Sequence, residues 1–327
     1  MLASTAVIPW PIKLPPLRHG SVDVLAFGEN SLDFVGVGPR MAGDADKTSL
    51  SSFAQMVGGQ AVAAAVGCAR QGWRVRYAGS FGDDEAGAVV RKTLAAEGVD
   101  VLAITRAGIG SRIAMILVDQ ATGARSVFEH RDAKLEIAPS DVDLNLVTTA
   151  RVVMLDATHP DTAVALAEAA RAAHVPVVID IDRAIPDARR LMSLVPVLVV
   201  PETFAATWTG HADAEDAIAA LVREFAPPVT VVTLGGGGSL AIVEGREVRT
   251  PGFPVQTIDT TGAGDAFRAG LVSGWLGCGD SADAAGILAH ANATAALNCT
   301  APSALTGLPR RGAAEALVTR RRHDQSK

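Results

Sequence analysis

Asp259-Thr260-Thr261-Gly262-Ala263-Gly264-Asp265-Ala266-Phe267 is the most informative stretch of this chain. Two glycines around an alanine let the backbone turn sharply with its N–H groups uncovered. Apolar helix-forming sequence runs from Ala266 to Trp275, so those N–H groups fall at a helix N-terminus. Unpaired amides and the positive end of the helix dipole meet there and attract anions. A capped Gly-x-Gly turn alone would say little, because such turns are common. Asp265 supplies the chemistry. A carboxylate beside a phosphate cradle repels the phosphate unless it takes a proton from the attacking group, and this points to phosphoryl transfer onto a hydroxyl.

Outward from this string, strands and helices alternate. Val22 to Phe27, Val75 to Gly79, Val152 to Asp156, Val177 to Asp182, Val195 to Val200 and Val229 to Leu234 read as short apolar strands. Residues 58–70, 161–173, 213–225 and 282–297 read as helices. That rhythm describes an α/β fold, a doubly wound, mainly parallel sheet flanked by helices. Residues 112–119 and 125–130 read as a β hairpin. With the Gly-, Asp- and Ser-rich stretch after Val35, they read as a small β element projecting over the sheet at about 34–52 and 111–131. Pro9, Pro11, Pro15 and Pro16 predict a flexible or loosely docked arm over 1–20. Arg320-Arg321-Arg322 predicts a solvated basic tail over 311–327, which leaves one α/β domain at 21–310.

The 327 residues carry 29 Lys and Arg against 35 Asp and Glu, a balance without the basic footprint of a nucleic-acid binder. Hydrophobic residues make up 49% and aromatics only 4%, which favours closely packed helices on a buried sheet. Cys68, Cys278 and Cys299 are odd in number and lack Cys-x-x-Cys spacing, so a reducing cytoplasm is expected. No apolar run approaches ~18 residues, and the opening segment lacks the charge of a secretory signal, so no membrane association is expected. The first strand runs into Gly28-Glu29-Asn30-Ser31-Leu32-Asp33 rather than a dinucleotide fingerprint. No Gly-Lys pair is present for a Walker A loop.

The nonapeptide is similar to the second signature of the ribokinase-like (PfkB) carbohydrate kinases, and the resemblance extends over residues 22–310. It implies an ATP-dependent kinase that uses Mg²⁺, in some members also a monovalent cation, with a small sugar as acceptor and homodimerisation through the lid in many members. By this resemblance Asp265 is the catalytic base, and the backbone of Thr261, Gly262, Ala263 and Gly264 forms the anion hole. Asp33 matches the sugar-binding aspartate, and Gly58 and Gly59 match the double glycine of the first signature. Thr233 to Ser239 resembles the nucleotide loop, which makes Thr233, Gly235 and Gly238 cofactor candidates with Thr261. Asn292 lies on the helix that walls the family's adenine pocket. Arg125, with Arg112 and Arg131 near it, is placed to meet an anionic substituent.

Two departures stand out. Ala63 occupies the position of a substrate-contacting asparagine, and Pro201 and Phe204 replace the ends of Asn-x-x-Glu. Glu202 is then the nearest carboxylate for metal-bound water. Asp156, Asp180, Asp182 and the stretch 295–309 look most like the ketohexokinase and sulfofructose kinase branch, which implies a ketose or ketose derivative. A nucleoside kinase stays open as an alternative. So does a non-catalytic sugar-sensing protein on the same fold, which Ala63 and Pro201 favour and Asp265 opposes.

Overall fold

The computed structural model describes residues 7–39, 48–122 and 125–325. Its first half contains β1 (Val22–Phe27), β2 (Ser31–Gly38), β3 (Ser52–Gly58), α1 (Gln60–Arg70), β4 (Val75–Gly82), α2 (Glu85–Ala96), β5 (Asp100–Arg106), β6 (Ile113–Asp119) and β7 (Arg125–His130). There follow β8 (Ala150–Asp156), α3 (Pro160–Ala172), β9 (Val177–Asp180), α4 (Ala188–Leu194), β10 (Val197–Pro201), α5 (Glu202–Thr209) and α6 (Ala214–Phe225). The chain ends with β11 (Val229–Thr233), β12 (Gly238–Val243), β13 (Arg246–Pro251), α7 (Ala263–Cys278), α8 (Ala284–Asn298), α9 (Ser303–Thr306) and α10 (Ala313–Gln325).

Nine strands pair in the order β13-β12-β11-β10-β9-β8-β1-β4-β5. Neighbours from β11 to β5 are parallel, and β12 and β13 add an antiparallel edge. Side chains of a strand alternate between faces, so each buried strand feeds two cores. On β1, Val24 and Ala26 join Val62, Leu271 and Leu288 of α1, α7 and α8. Leu25 and Phe27 join Leu166 of α3 and Leu221 of α6 on the other face. Each such side chain, taken out of water, stabilises the fold by about 1.5–3 kcal/mol. Small residues bring the first layer close: a Cβ on Gly67 would lie 2.6 Å from the Ala269 methyl, and one on Gly270 2.7 Å from Thr294 Cβ.

The lid is a second sheet in the order β3-β2-β6-β7. Its first two strands cover 31–38 and 52–58, which corrects the expected 34–52. β2 starts only four residues after β1 ends, and the polar stretch that drew attention in the sequence is largely the connection, of which 40–47 lie outside the described residues. The hairpin of β6 and β7 stands where expected.

Both chain ends differ from expectation. Trp10 is buried against Trp275, with ring centroids 5.5 Å apart. Its N–H donates to Ala282 O at 2.8 Å, and Ala284 N–H donates to Ile8 O. The prolines lack donors, but Trp10 keeps its N–H and Ile8 offers its carbonyl, and the arm is tied down here. The tail is a docked helix, α10, rather than a solvated strand of charge. Arg321 donates to Pro251 O and Gly252 O and covers the Phe253 ring at 4.8 Å. Among the described residues no helix is long and apolar enough to cross a membrane.

Candidate active site

Parallel strands converge on one end of the sheet, and ligands of such folds bind beyond those carboxyl ends. Here Glu29 follows β1, Asp156 and Asp180 end β8 and β9, Glu202 opens α5 after β10, and Thr233 ends β11. The N-terminus of α7 lies among them. Two cavities flank it. A cleft of about 620 Å³ is lined by Glu202, Thr233, Gly235, Gly238, Gly264 and Asn292 among others. A second cavity of about 500 Å³ lies under the lid, with Asp33, Met56, Arg125 and Thr261 on its walls. The turn 260–264 forms the partition: Thr260 lines both cavities, Gly264 the first and Thr261 the second.

The turn owes its shape to Gly262, the N-cap of α7, at φ 74°. A Cβ there would meet the Ala304 backbone at 2.7 Å, so no other residue fits. Of the expected anion-hole amides, two are already committed. Thr261 N–H donates to Asp259 Oδ1 at 2.8 Å, and Ala263 N–H to Thr260 O at 3.2 Å. The N–H groups of Gly262, Gly264 and Asp265 find no acceptor among the described residues. The open donors therefore shift by one residue into the helix, to include Asp265 itself.

Asp265 is 8% exposed. Burial drives its carboxyl well above the ordinary range, and the nearby carboxylates of Glu29, Asp156 and Asp182 push the same way. Its Oδ1 accepts from Arg268 Nη2 at 2.6 Å, and the same guanidinium lies against Asp180 Oδ2. Burial lowers Arg268 to about 9. Sequence reading passed over Arg268, although a lone charge inside the apolar run after Asp265, three residues on, was a visible signal.

In the cavity under the lid, Ser31 Oγ donates to Asp33 Oδ1 at 2.6 Å. Burial raises Asp33, with the Ser31 hydroxyl and Arg112 opposing. Gly58 backs this carboxylate, since a Cβ on it would fall 2.2 Å from Asp33 Oδ2. Gly59, at φ 103°, passes the Glu29 carbonyl equally closely. Glu29, unnoticed in the sequence, is pushed up to about 7 by burial, against the pull of Arg112. Gln60 Nε2 donates to Asp182 at 3.0 Å. Ala63 is fully buried inside the helix layer, and its methyl offers no hydrogen bond to an acceptor.

Two of the three arginines on and beside the lid hairpin are paired with nearby carboxylates. Arg112 binds Glu129 at 2.7 Å and Glu29 at 3.3 Å, and Arg131 binds Glu136 at 2.7 Å. Arg125 crosses from the lid to the phosphate turn, donating to Thr261 Oγ1 and lying 3.6 Å from Asp259. It ties the lid to the turn through Nη1, and the half-exposed side chain lines the second cavity. Asn292 lines the first cleft, but its amide donates to Ser239 Oγ and Thr250 O, both at 3.1 Å, and so braces the β12–β13 hairpin.

The comparisons agree with this geometry. The family model for pfkB family carbohydrate kinases matches residues 22–311. The chain belongs to that family and is an ATP-dependent carbohydrate kinase by its relatives and its fold. It is 31% identical over 251 residues to the ATP-dependent ribose-1-phosphate kinase of Halopiger xanaduensis, covering 77% of this chain and 83% of that one. It is 31% identical over 280 residues to a fructokinase of Klebsiella pneumoniae, covering 78% and 89%. Among solved structures it resembles a putative ribokinase from Agrobacterium tumefaciens, with TM-score 0.84, 23% identity and coverage of 93% and 99%. It also resembles Arabidopsis thaliana ribokinase complexed with ribose and ATP, with TM-score 0.80, 23% identity and coverage of 91% and 99%.

Proposed function

We propose that this kinase transfers the γ-phosphoryl group of ATP to a hydroxyl of a small neutral sugar, a ketose or ketose derivative, with Asp265 as the base. One observation carries the reading: a buried carboxylate stands in the first turn of α7, directly after the turn 260–264 that separates the first cleft from a cavity lined by Asp33. Asp33 accepts hydrogen bonds from adjacent sugar hydroxyls. Asp265 accepts the proton of the attacking hydroxyl, while the Gly262, Gly264 and Asp265 amides stabilise charge on the moving phosphoryl group. Thr233, Gly235 and Gly238 give the nucleotide a wall with little side chain. The lid, tied down through Arg125, keeps water from competing with the sugar.

No group of three acidic, His or Cys side chains stands ready for a metal among the described residues. That fits Mg²⁺ arriving with the nucleotide and keeping most of its waters, with Glu202 in the cleft to order them. The metal would neutralise phosphate charge during transfer. Paired lid arginines favour a neutral acceptor over an anionic one, and the fructokinases among the relatives favour a ketose. Three free cysteines fit a reducing cytoplasm. Phe53, Met115 and Phe128 are exposed on the lid, and a lid-to-lid homodimer would cover them.

ATP-dependent product formation across ketoses, aldoses, their phosphates and sulfonates, and nucleosides tests the proposal. A neutral ketose is expected to give the highest kcat/KM. Preference for a nucleoside or an anionic sugar would overturn the acceptor, and no turnover with any of them would favour a binding protein.

A further inference from the structure

Arg268 has no part in the chemistry described so far. It lies one turn beyond Asp265 on α7, with only 7% of its side chain exposed. A guanidinium at that depth must be paired to be tolerated. Its Nη2 contacts two carboxylates from different elements, Asp265 on its own helix and Asp180 at the end of β9. The Asp180 carboxylate has no other hydrogen-bond partner among the described residues. The guanidinium also lies under the phosphate turn, 3.6 Å from where a Cβ on Gly264 would stand. One buried guanidinium thus serves two buried carboxyl groups.

We propose that Arg268 is a positioning residue, shared between Asp265 and Asp180, that holds the base in its ionised form and in place beneath the turn. The inference rests on Asp265 being the base. The other groups facing Asp265 carry the same sign as it does: Glu29 after β1, Asp156 at the end of β8, and Asp182 after β9. From α1 the titratable neighbour is Cys68, whose thiol sits on Ala269 O and is pushed up to about 12. From α8 it is His290, which is bonded to Gln71 and lies against Gly274. Neither supplies a positive charge at Asp265. Arg268 is the cation in contact with the base, and Asp180 competes for it.

Two substitutions should therefore move the base in opposite directions. Without Arg268, Asp265 faces only like charges and keeps its proton to higher pH. Without the Asp180 charge, Arg268 turns wholly to Asp265, which then ionises more readily. The readout is the acid limb of kcat/KM against pH, with MgATP affinity measured alongside. Arg268→Met is expected to move the limb up by about one unit or more, with at least about a tenfold loss at pH 7 that recovers toward pH 9. Asp180→Asn is expected to move it down, and Arg268→Lys to restore most of the wild-type position. If Arg268→Met does not fold, Arg268→Met/Asp180→Asn removes both buried charges and should still show a raised limb. Asp265→Asn is run in parallel. If it turns over like wild type, the base assignment fails. If it is inactive while the Arg268 and Asp180 limbs stay in place or move the same way, the sharing of Arg268 is overturned.

Discussion

Replacing Gly262 by alanine strikes the point where the anion site is built. At φ 74° an L-residue is strained by about 1–2 kcal/mol before any contact is counted. The added methyl would also stand 2.7 Å from Ala304 Cα and 3.1 Å from its carbonyl oxygen. Those are backbone atoms, so relief requires moving residues 303–304. That segment is held by Ser303 N–H on Asp259 Oδ2 at 2.9 Å and is itself at positive φ in Ser303. Steric displacement of packed atoms adds about 1–3 kcal/mol. The sum is about 2–5 kcal/mol, or on the order of 3–8 °C in Tm for a domain this large. Scanning calorimetry and nucleotide binding by isothermal titration read the two consequences, lower Tm and weaker nucleotide affinity. Gly277→Ala is the control: it lies in the exposed last turn of α7 with only Trp73 near, at 4.0 Å. It should stabilise by about 0.5–1 kcal/mol. A Gly262→Ala protein that melts within a degree of wild type and binds nucleotide as tightly would refute the geometry assigned to the turn.

Asp33→Asn should raise the acceptor KM about tenfold or more, through weakened hydroxyl hydrogen bonds, and leave nucleotide affinity unchanged; a loss of nucleotide affinity instead would mean the cavities are assigned the wrong way round. Arg125→Ala should raise acceptor KM several-fold and increase ATP hydrolysis in the absence of sugar, with Tm nearly constant because the ion pair is 40% exposed on the arginine side; unchanged hydrolysis would dismiss the tie between lid and turn. Glu29 holds its proton to about 7 in the folded chain against an ordinary 4.5, so the native state binds more protons than the unfolded chain between those values. Stability therefore falls as pH rises through that window, and Glu29→Gln should be more stable than wild type at pH 8 by on the order of 1–3 kcal/mol, with the difference vanishing near pH 4.5. Parallel Tm-versus-pH curves for the two proteins would contradict this.

Local backbone chemistry was the legible part. The glycine turn and the helix start after it depend on neighbours in sequence, so Asp259 to Phe267 could be read directly. Buried valine-rich strands were equally plain, because both of their faces are apolar. What the sequence hid were partnerships across long separations. The contact of Arg125 with Thr261 could not be read from the sequence, because the two are 136 residues apart. Arg112 and Arg131 looked like an anion site because the fold, not the sequence, turns Glu129 of β7, Glu29 after β1 and Glu136 toward them. Prolines drew the arm as flexible, while Trp10, the residue that buries against Trp275, passed unread. Arg268 was visible as a charge in an apolar helix, but only Asp180 on β9 shows that it is shared.

Asp265→Asn tests the central claim most directly. The substitution keeps the side chain's size and its contact with Arg268 but removes the proton acceptor. Rapid-quench measurement of phosphoryl transfer with saturating MgATP and the best acceptor should show a fall of about 10²–10⁴, with both substrates binding within a few-fold of wild type. A transfer rate within tenfold of wild type would show that the carboxylate at the head of α7 is not the base.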